Sequence, residues 1–166
     1  MITYTEKGAG LHEAIRAAGH FLRQENGTWV SSNDIAVQSI IDAYGLNDAY
    51  SYISDQIDLF TKSIREKGLK QYSPGEMSAW SIKKAEAEKF QLTNQPSDAP
   101  NLQAEATYRG ISLTSLATKV LNNFNAVANR EAKIAGVAGK HKDNVKALAS
   151  FAAINSYDWQ TPIGLV

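Results

Sequence analysis

Between Leu113 and Ala152 apolar residues recur in two interleaved seven-residue series. One runs Leu113, Val120, Val127, Ile134, His141, Leu148, and the other Ala117, Phe124, Glu131, Ala138, Val145, Ala152. Only His141 and Glu131 break the apolar character. A repeat kept over that length predicts one long helix, or two collinear ones, with a continuous stripe to bury. The stripe must pack on the rest of the chain or on copies of itself. Gly136 and Gly139 fall inside it, each costing about 1 kcal/mol against Ala in a helix interior. With no Pro, Asn or Asp turn chemistry beside them, the helix reads as continuous. The alternatives are a break into a hairpin, or a smooth patch of Ala132, Gly136 and Gly139 that admits another backbone. Glu131 reads as a tolerated seam polar that limits register; the alternatives are a salt bridge with Arg130 or Lys133 from a neighbouring helix, or the point where the stripe leaves the core. His141 reads as a satisfied core or interface histidine. Small residues flank the stripe at Ala126, Ala132, Ala147 and Ala153, where a two-stranded coil carries charges, so the pattern suits a multi-helix assembly.

Upstream the pattern changes period. Ile2 to Thr5 reads as a short strand, and Leu11 to Ala18 as a helix closed by Gly19. Two extended runs flank Glu25-Asn26-Gly27, a hairpin signal, so the start of the chain predicts about three short strands beside one helix. A helix capped by Ser32, Asn33 or Asp34 follows, with Ile35, Val37, Ile40, Ile41 and Tyr44 as its apolar positions. The next carries Leu46, Tyr50, Ile53, Ile57, Phe60 and Ile64 in alternating steps of four and three, ending at Gly68. Ser73-Pro74-Gly75-Glu76 is a capping box with Pro at the first helical position. Its helix carries Met77, Trp80, Ala85 and Phe90 and fades near Leu92. Thr93 to Asn101, with two prolines among small polar residues, reads as a linker. Leu102 to Arg109 reads as a short helix stopped by Gly110, and Ser112 caps the long one. Trp159, Pro162, Ile163 and Leu165 make an apolar tail that is expected to dock.

The fold class is therefore α+β and mainly α. It comprises a small α/β unit with a β-hairpin (1–32), a segment of about three helices (33–92), a linker (93–101), the long-helix region (102–155) and a C-terminal tail (156–166).

Composition narrows the chemistry. The 166 residues hold 17 basic and 17 acidic side chains, and this balance argues against a dedicated nucleic-acid binder or an anionic membrane surface as partner. With no cysteine, a disulfide scaffold, thiolate metal site or cysteine nucleophile is excluded. No secretory signal and no membrane span are read, which makes the cytoplasm the expected compartment.

Candidate chemistry is thin. Gly8-Ala9-Gly10, between a predicted strand and helix, could seat a ligand or an enzymatic site at Gly8–His12. Glu13 stands where a dinucleotide fingerprint needs its third glycine, and its carboxylate would repel a pyrophosphate. His12, His20 and His141 form no metal-ligand pattern. Gly110 to Ala117 has the outline of a helix-turn-helix presenting Thr114, Ser115, Thr118 and Lys119, but one lysine is poor equipment for a phosphate backbone. No catalytic, cofactor-binding or metal-binding residue is assigned, and no cofactor is expected.

Several segments together carry a family resemblance. They are Gly8-Ala9-Gly10-Leu11-His12, Ala17-Ala18-Gly19-His20, and Asn26-Gly27-Thr28-Trp29-Val30-Ser31-Ser32. The run from Ala36 to Tyr44, the run from Ser73 to Ala87, and Ala104-Glu105-Ala106 with Arg109-Gly110-Ile111-Ser112-Leu113 before an alanine-rich helix continue the likeness. In these segments and their order the chain resembles small tail-fibre-associated and tail-fibre assembly proteins of tailed bacteriophages, and the C-terminal Ser156 to Pro162 departs from that pattern. The resemblance implies a non-enzymatic tail protein acting by protein–protein contact, as an assembly chaperone in the host cytoplasm or a virion tail component. Its expected partners are a tail-fibre or tail-tip polypeptide and copies of itself. Trp159, Trp80 and Trp29 are the candidate anchors, each of which also reads as a core residue, with Val127, Glu131, Ile134, Ala138 and His141 on the stripe.

Overall fold

The computed structural model describes residues 2–70 and 72–161. Among them the chain is mainly helical, with one two-stranded antiparallel hairpin near its start. In order, α1 is Ala9–Ala17, β1 Leu22–Glu25, β2 Thr28–Ser31, α2 Asp34–Ala43, α3 Leu46–Leu69, α4 Pro74–Thr93, α5 Pro100–Arg109, α6 Leu113–Lys146 and α7 Phe151–Ser156. The chain divides into two compact units, residues 1–64 with 136–166, and residues 65–135.

The first unit is nucleated by local signals. Asn26 (φ 48°) and Gly27 (φ 80°) both take positive φ, as a type I′ turn requires, and this sets the register Glu25↔Thr28 to Leu22↔Ser31. Asn33 caps α2 by accepting from the Ala36 N–H. Leu11 and Ile15 of α1 pack with Val37 and Ile41 of α2, Ala49 of α3, Val145 of α6 and Ile154 of α7. A smaller cluster joins Ile57 to Ala138, with Phe60, Ile64 and Trp159 against it.

Three expectations change here. Ile2 to Thr5 forms no strand. Ile2 is buried in the core, the Thr3 N–H donates to Gln38 of α2, and Tyr4 stacks on Trp29 at 4.0 Å. Side chains of α2 and β2 hold this segment, in place of a strand ladder. Ile35 is 85% exposed, because it lies about 200° around α2 from the buried Val37 at 100° per residue. The long helix stops at Lys146: Tyr50 donates to the Leu148 carbonyl at 2.7 Å, and Ser150 caps the separate α7, leaving Ala152 exposed.

In the second unit Ser73 caps α4 through the Glu76 N–H, with Pro74 at the first helical position. Ala87 and Phe90 of α4 pack on Leu102 and Ala106 of α5 and on Leu113, Leu116 and Ala117 of α6. Ala87, not Ala85, is the buried alanine. The stretch read as a linker is a tight corner. It contains a 3₁₀ turn (Pro96–Asp98), the fully buried Ala99, and Pro100 as the first residue of α5. Glu86 of α4 accepts from the Leu102 N–H at 2.9 Å and the Asn101 N–H at 3.3 Å, capping α5 from the neighbouring helix.

The helix α6 runs unbroken through Gly136 and Gly139. A Cβ added at either glycine would meet nothing within 4 Å, so no other backbone among the described residues approaches them. The stripe is buried by its own chain at Leu113, Ala117, Ile134, Ala138, His141 and Val145. Gly68 lies inside α3 and does not end it; the Arg130 guanidinium occupies the space a side chain there would take. No helix among the described residues is long and apolar enough to cross a membrane.

Candidate functional site

In the second unit α4, α5 and α6 bound a groove of about 220 Å3. Glu76, Trp80 and Lys83 share one face of α4 by their spacing of four and three. Glu105 and Arg109, four apart, come from α5. Leu116, Val120, Asn123, Phe124 and Val127 present one face of α6, with Lys119 beside them. Tyr72, just before α4, meets Trp80 edge-on at 4.9 Å and 84°. The groove thus has aromatic and aliphatic walls, of which Trp80, Val120, Phe124 and Val127 remain half-buried.

A three-residue ion network forms one side. Lys83 Nζ lies 2.7 Å from Glu105 Oε2, and Arg109 Nη1 lies 2.8 Å from Glu105 Oε1. The Lys83 hydrogen bond, with Arg109 adding to it, holds the Glu105 carboxyl below its ordinary range against the opposing effect of burial. Lys84 stands over the Phe124 ring at 4.9 Å, a cation–π contact.

The sequence-derived candidates distribute unevenly. Trp80 and Val127 line this groove. Glu131 bonds Arg65 of α3 at 2.7 Å, not Arg130 or Lys133, because α3 supplies the facing cation. Ile134 is fully buried, which makes it internal packing. Ala138 packs on Ile57 in the first unit. His141, 6% exposed, pairs its Nδ1 with the Tyr157 hydroxyl at 2.8 Å, while Asn144 donates to the same oxygen at 2.9 Å. It is a satisfied core histidine. Trp159 docks edge-on against Phe60 at 5.7 Å, so the described part of the tail packs as expected; Pro162, Ile163 and Leu165 lie outside the described residues. Trp29 is half-buried against Tyr4, which donates to Glu6 at 3.1 Å and bonds His12 Nε2 at 3.0 Å. One hydroxyl carries one hydrogen, so in this arrangement His12 Nε2–H is the donor to Tyr4.

The Gly8–His12 turn is packed. Gly8 (φ 90°) has the Asn155 side chain where a Cβ would stand, and Gly10 has Tyr44 Oη and the Tyr52 ring there. These glycines admit neighbouring side chains. At the α5–α6 junction Gly110 takes φ 64° and Thr114, Ser115, Thr118 and Lys119 are exposed at the start of a 34-residue helix. Sequence reasoning did not name Lys83, Glu105, Arg109 or Phe124 as site residues. The Glu105–Arg109 pair is visible as an i,i+4 spacing, and Phe124 lies on the stripe; the Lys83–Glu105 bridge joins two helices and leaves no local signal. Comparison with family models, curated proteins and solved structures gave no match for this chain.

Proposed function

We propose that the protein is non-enzymatic and acts by protein–protein contact through the α4–α5–α6 groove. In this reading it serves as a tail-fibre assembly chaperone in the host cytoplasm, or as a structural component of the tail or fibre of a bacteriophage particle. One observation carries the contact reading: aromatic and aliphatic side chains that could close over a core stand half-open around a cavity of about 220 Å3. That is below the roughly 300–1,000 Å3 of small-molecule sites, and matches the scale of a side chain. Aromatic residues with an arginine beside them are the composition of interface anchors. The segment order from Gly8 to Leu113, which resembles tail-fibre-associated proteins, supplies the phage setting and the partner class, a tail-fibre or tail-tip polypeptide.

Co-expression with tail-fibre and tail-tip polypeptides, affinity purification, and mass spectrometry of whole phage particles test it. A tail-fibre or tail-tip protein should co-purify, and Phe124→Ala with Val127→Ala should weaken its recovery. Presence in particles selects the structural role, and co-purification without it selects the chaperone. Absence from both the particles and any tail-protein complex overturns the reading. Val127 and Phe124 are suited to this test because they stay half-exposed, whereas a charged residue at the fully buried Ile134 would test only folding.

A further inference from the structure

We infer that the groove receives an aromatic side chain flanked by a carboxylate, presented by a partner polypeptide. This rests on the protein-contact reading above and names the chemistry of its partner.

The walls set the first half. Trp80 and Phe124 offer ring faces and edges in a cavity too small for a cofactor, and an aromatic ring fills such a space with offset or edge-on geometry. The charges set the second half. Lys83 and Arg109 share the single carboxylate of Glu105, and Lys119 makes no ion pair or hydrogen bond among the described residues. Against these three cations the groove carries only Glu105 and Glu76. The Lys84 ammonium over Phe124 is paired to Glu88 at 2.7 Å, so the surplus charge of the groove is that of Lys119. Arg109 uses Nη1 on Glu105, and its guanidinium has five N–H donors in all, so it retains donors for an incoming carboxylate. A partner bearing a cation at this point would meet uncompensated like charge.

The test is a titration of the full-length 15N-labelled protein with three probes. Indole-3-propionate carries ring and carboxylate, tryptamine the same ring with an ammonium, and cyclohexanepropionate the carboxylate without a π face. Indole-3-propionate should shift the Trp80 indole N–H and the Val120 and Phe124 amides. Tryptamine should bind about threefold to fivefold more weakly, the scale of one exposed ion pair, and cyclohexanepropionate by about the same factor, the scale of one lost aromatic contact. Lys119→Glu, at an exposed position, should remove or reverse the preference for the acid, with Lys119→Gln as the milder control. Shifts elsewhere, no shifts, or equal binding of tryptamine overturn the proposal. Light scattering separates the other occupant: a dimer that Phe124→Ala converts to monomer, with wild-type protein blind to all three probes, means a second copy fills the groove and the proposal is wrong. The probes and the co-purification fail separately. Charge-selective shifts with no tail protein captured support the groove chemistry and remove only the phage reading. Capture that survives Lys119→Glu and Phe124→Ala, without probe shifts, removes the groove and leaves that reading standing.

Discussion

Tyr44 and Gly10 are packed so closely that each constrains the other. A Cβ on Gly10 would collide with Tyr44 Oη and come within 2.9 Å of Tyr52 Cγ, while the hydroxyl of the buried Tyr44 has no hydrogen-bond partner among the described residues. The ring cannot swing aside as a long flexible side chain would, because it is buried in the α1–α2 core against Phe151 at 6.2 Å. Gly10→Ala is therefore expected to destabilise by about 1–3 kcal/mol, as overpacking does. Tyr44→Phe removes a buried unsatisfied oxygen and should be neutral or stabilising by up to about 1 kcal/mol. The two should couple by about 0.5 kcal/mol or more, because the phenylalanine vacates part of the space alanine needs. Urea unfolding of the four-member cycle measures this, and additive effects would show that the hydroxyl is not the obstacle.

The same hydroxyl gives an alkaline signature. Burial pushes Tyr44 from its ordinary 10.0 up to about 12, with the Asp48 charge assisting. Tyr4 rises to about 12 as well, through burial and then its hydrogen bond to Glu6. Between pH 10 and 12 the unfolded chain releases these protons while the folded chain holds them. Stability contributed by the neutral tyrosines is thus present below pH 10 and lost as pH rises toward 12. Thermal melts from pH 9 to 12 should show a falling midpoint, less steep in Tyr44→Phe. An unchanged slope in that variant would assign the loss elsewhere.

Gly136 and Gly139 offer the opposite sign from Gly10. Both sit in the helical interior of α6 with open space where a side chain would go. Alanine at either position should stabilise by about 0.4–1 kcal/mol, chiefly by restricting the unfolded chain. If either substitution weakens recovery of a partner without lowering stability, a partner backbone approaches that face.

Arg65 and Glu131 meet at 2.7 Å, yet their side chains remain 37% and 41% exposed. Water screens such a pair, so a double-mutant cycle should return only about 0.2–1 kcal/mol, shrinking with added salt. A coupling well above this range would mean the pair is drier than its exposure suggests.

Local signals in the chain were the readable ones. The Asn26-Gly27 turn, the Ser73 cap with Pro74, the Ser112 cap and the α6 stripe each act within a few residues, and each forms as its chemistry demands. Ile2 to Thr5 has strand composition but lacks a ladder neighbour, and composition alone does not provide one. Apolar identity misplaced Ile35, since helical phase decides which residue faces the core. Prolines made Thr93 to Asn101 look like a linker, although Pro100 fits the first turn of α5 as well as it would fit a loop. Of the candidate groove, the stripe residues Val127 and Phe124 and the i,i+4 pair on α5 were within reach of sequence patterns. Lys83 joining Glu105, and Trp80 facing α6, required the helices to be placed first.

Glu86 has a consequence for the order in which the second unit assembles. Its carboxylate holds the first N–H groups of α5 only fifteen residues further along the chain, across a corner closed by a 3₁₀ turn and the Lys89–Asp98 bridge at 2.8 Å. Loop closure over so short a span costs little chain entropy. The α4–α5 pair can consequently dock on sequence-local contacts, and its burial of Phe90, Ala87, Leu102 and Ala106 leaves an apolar face that α6 then covers. A transition state built this way places Glu86 and Ala99 among its formed residues. In stopped-flow refolding, their substitutions should slow folding, while changes near the end of α6 should mainly hasten unfolding.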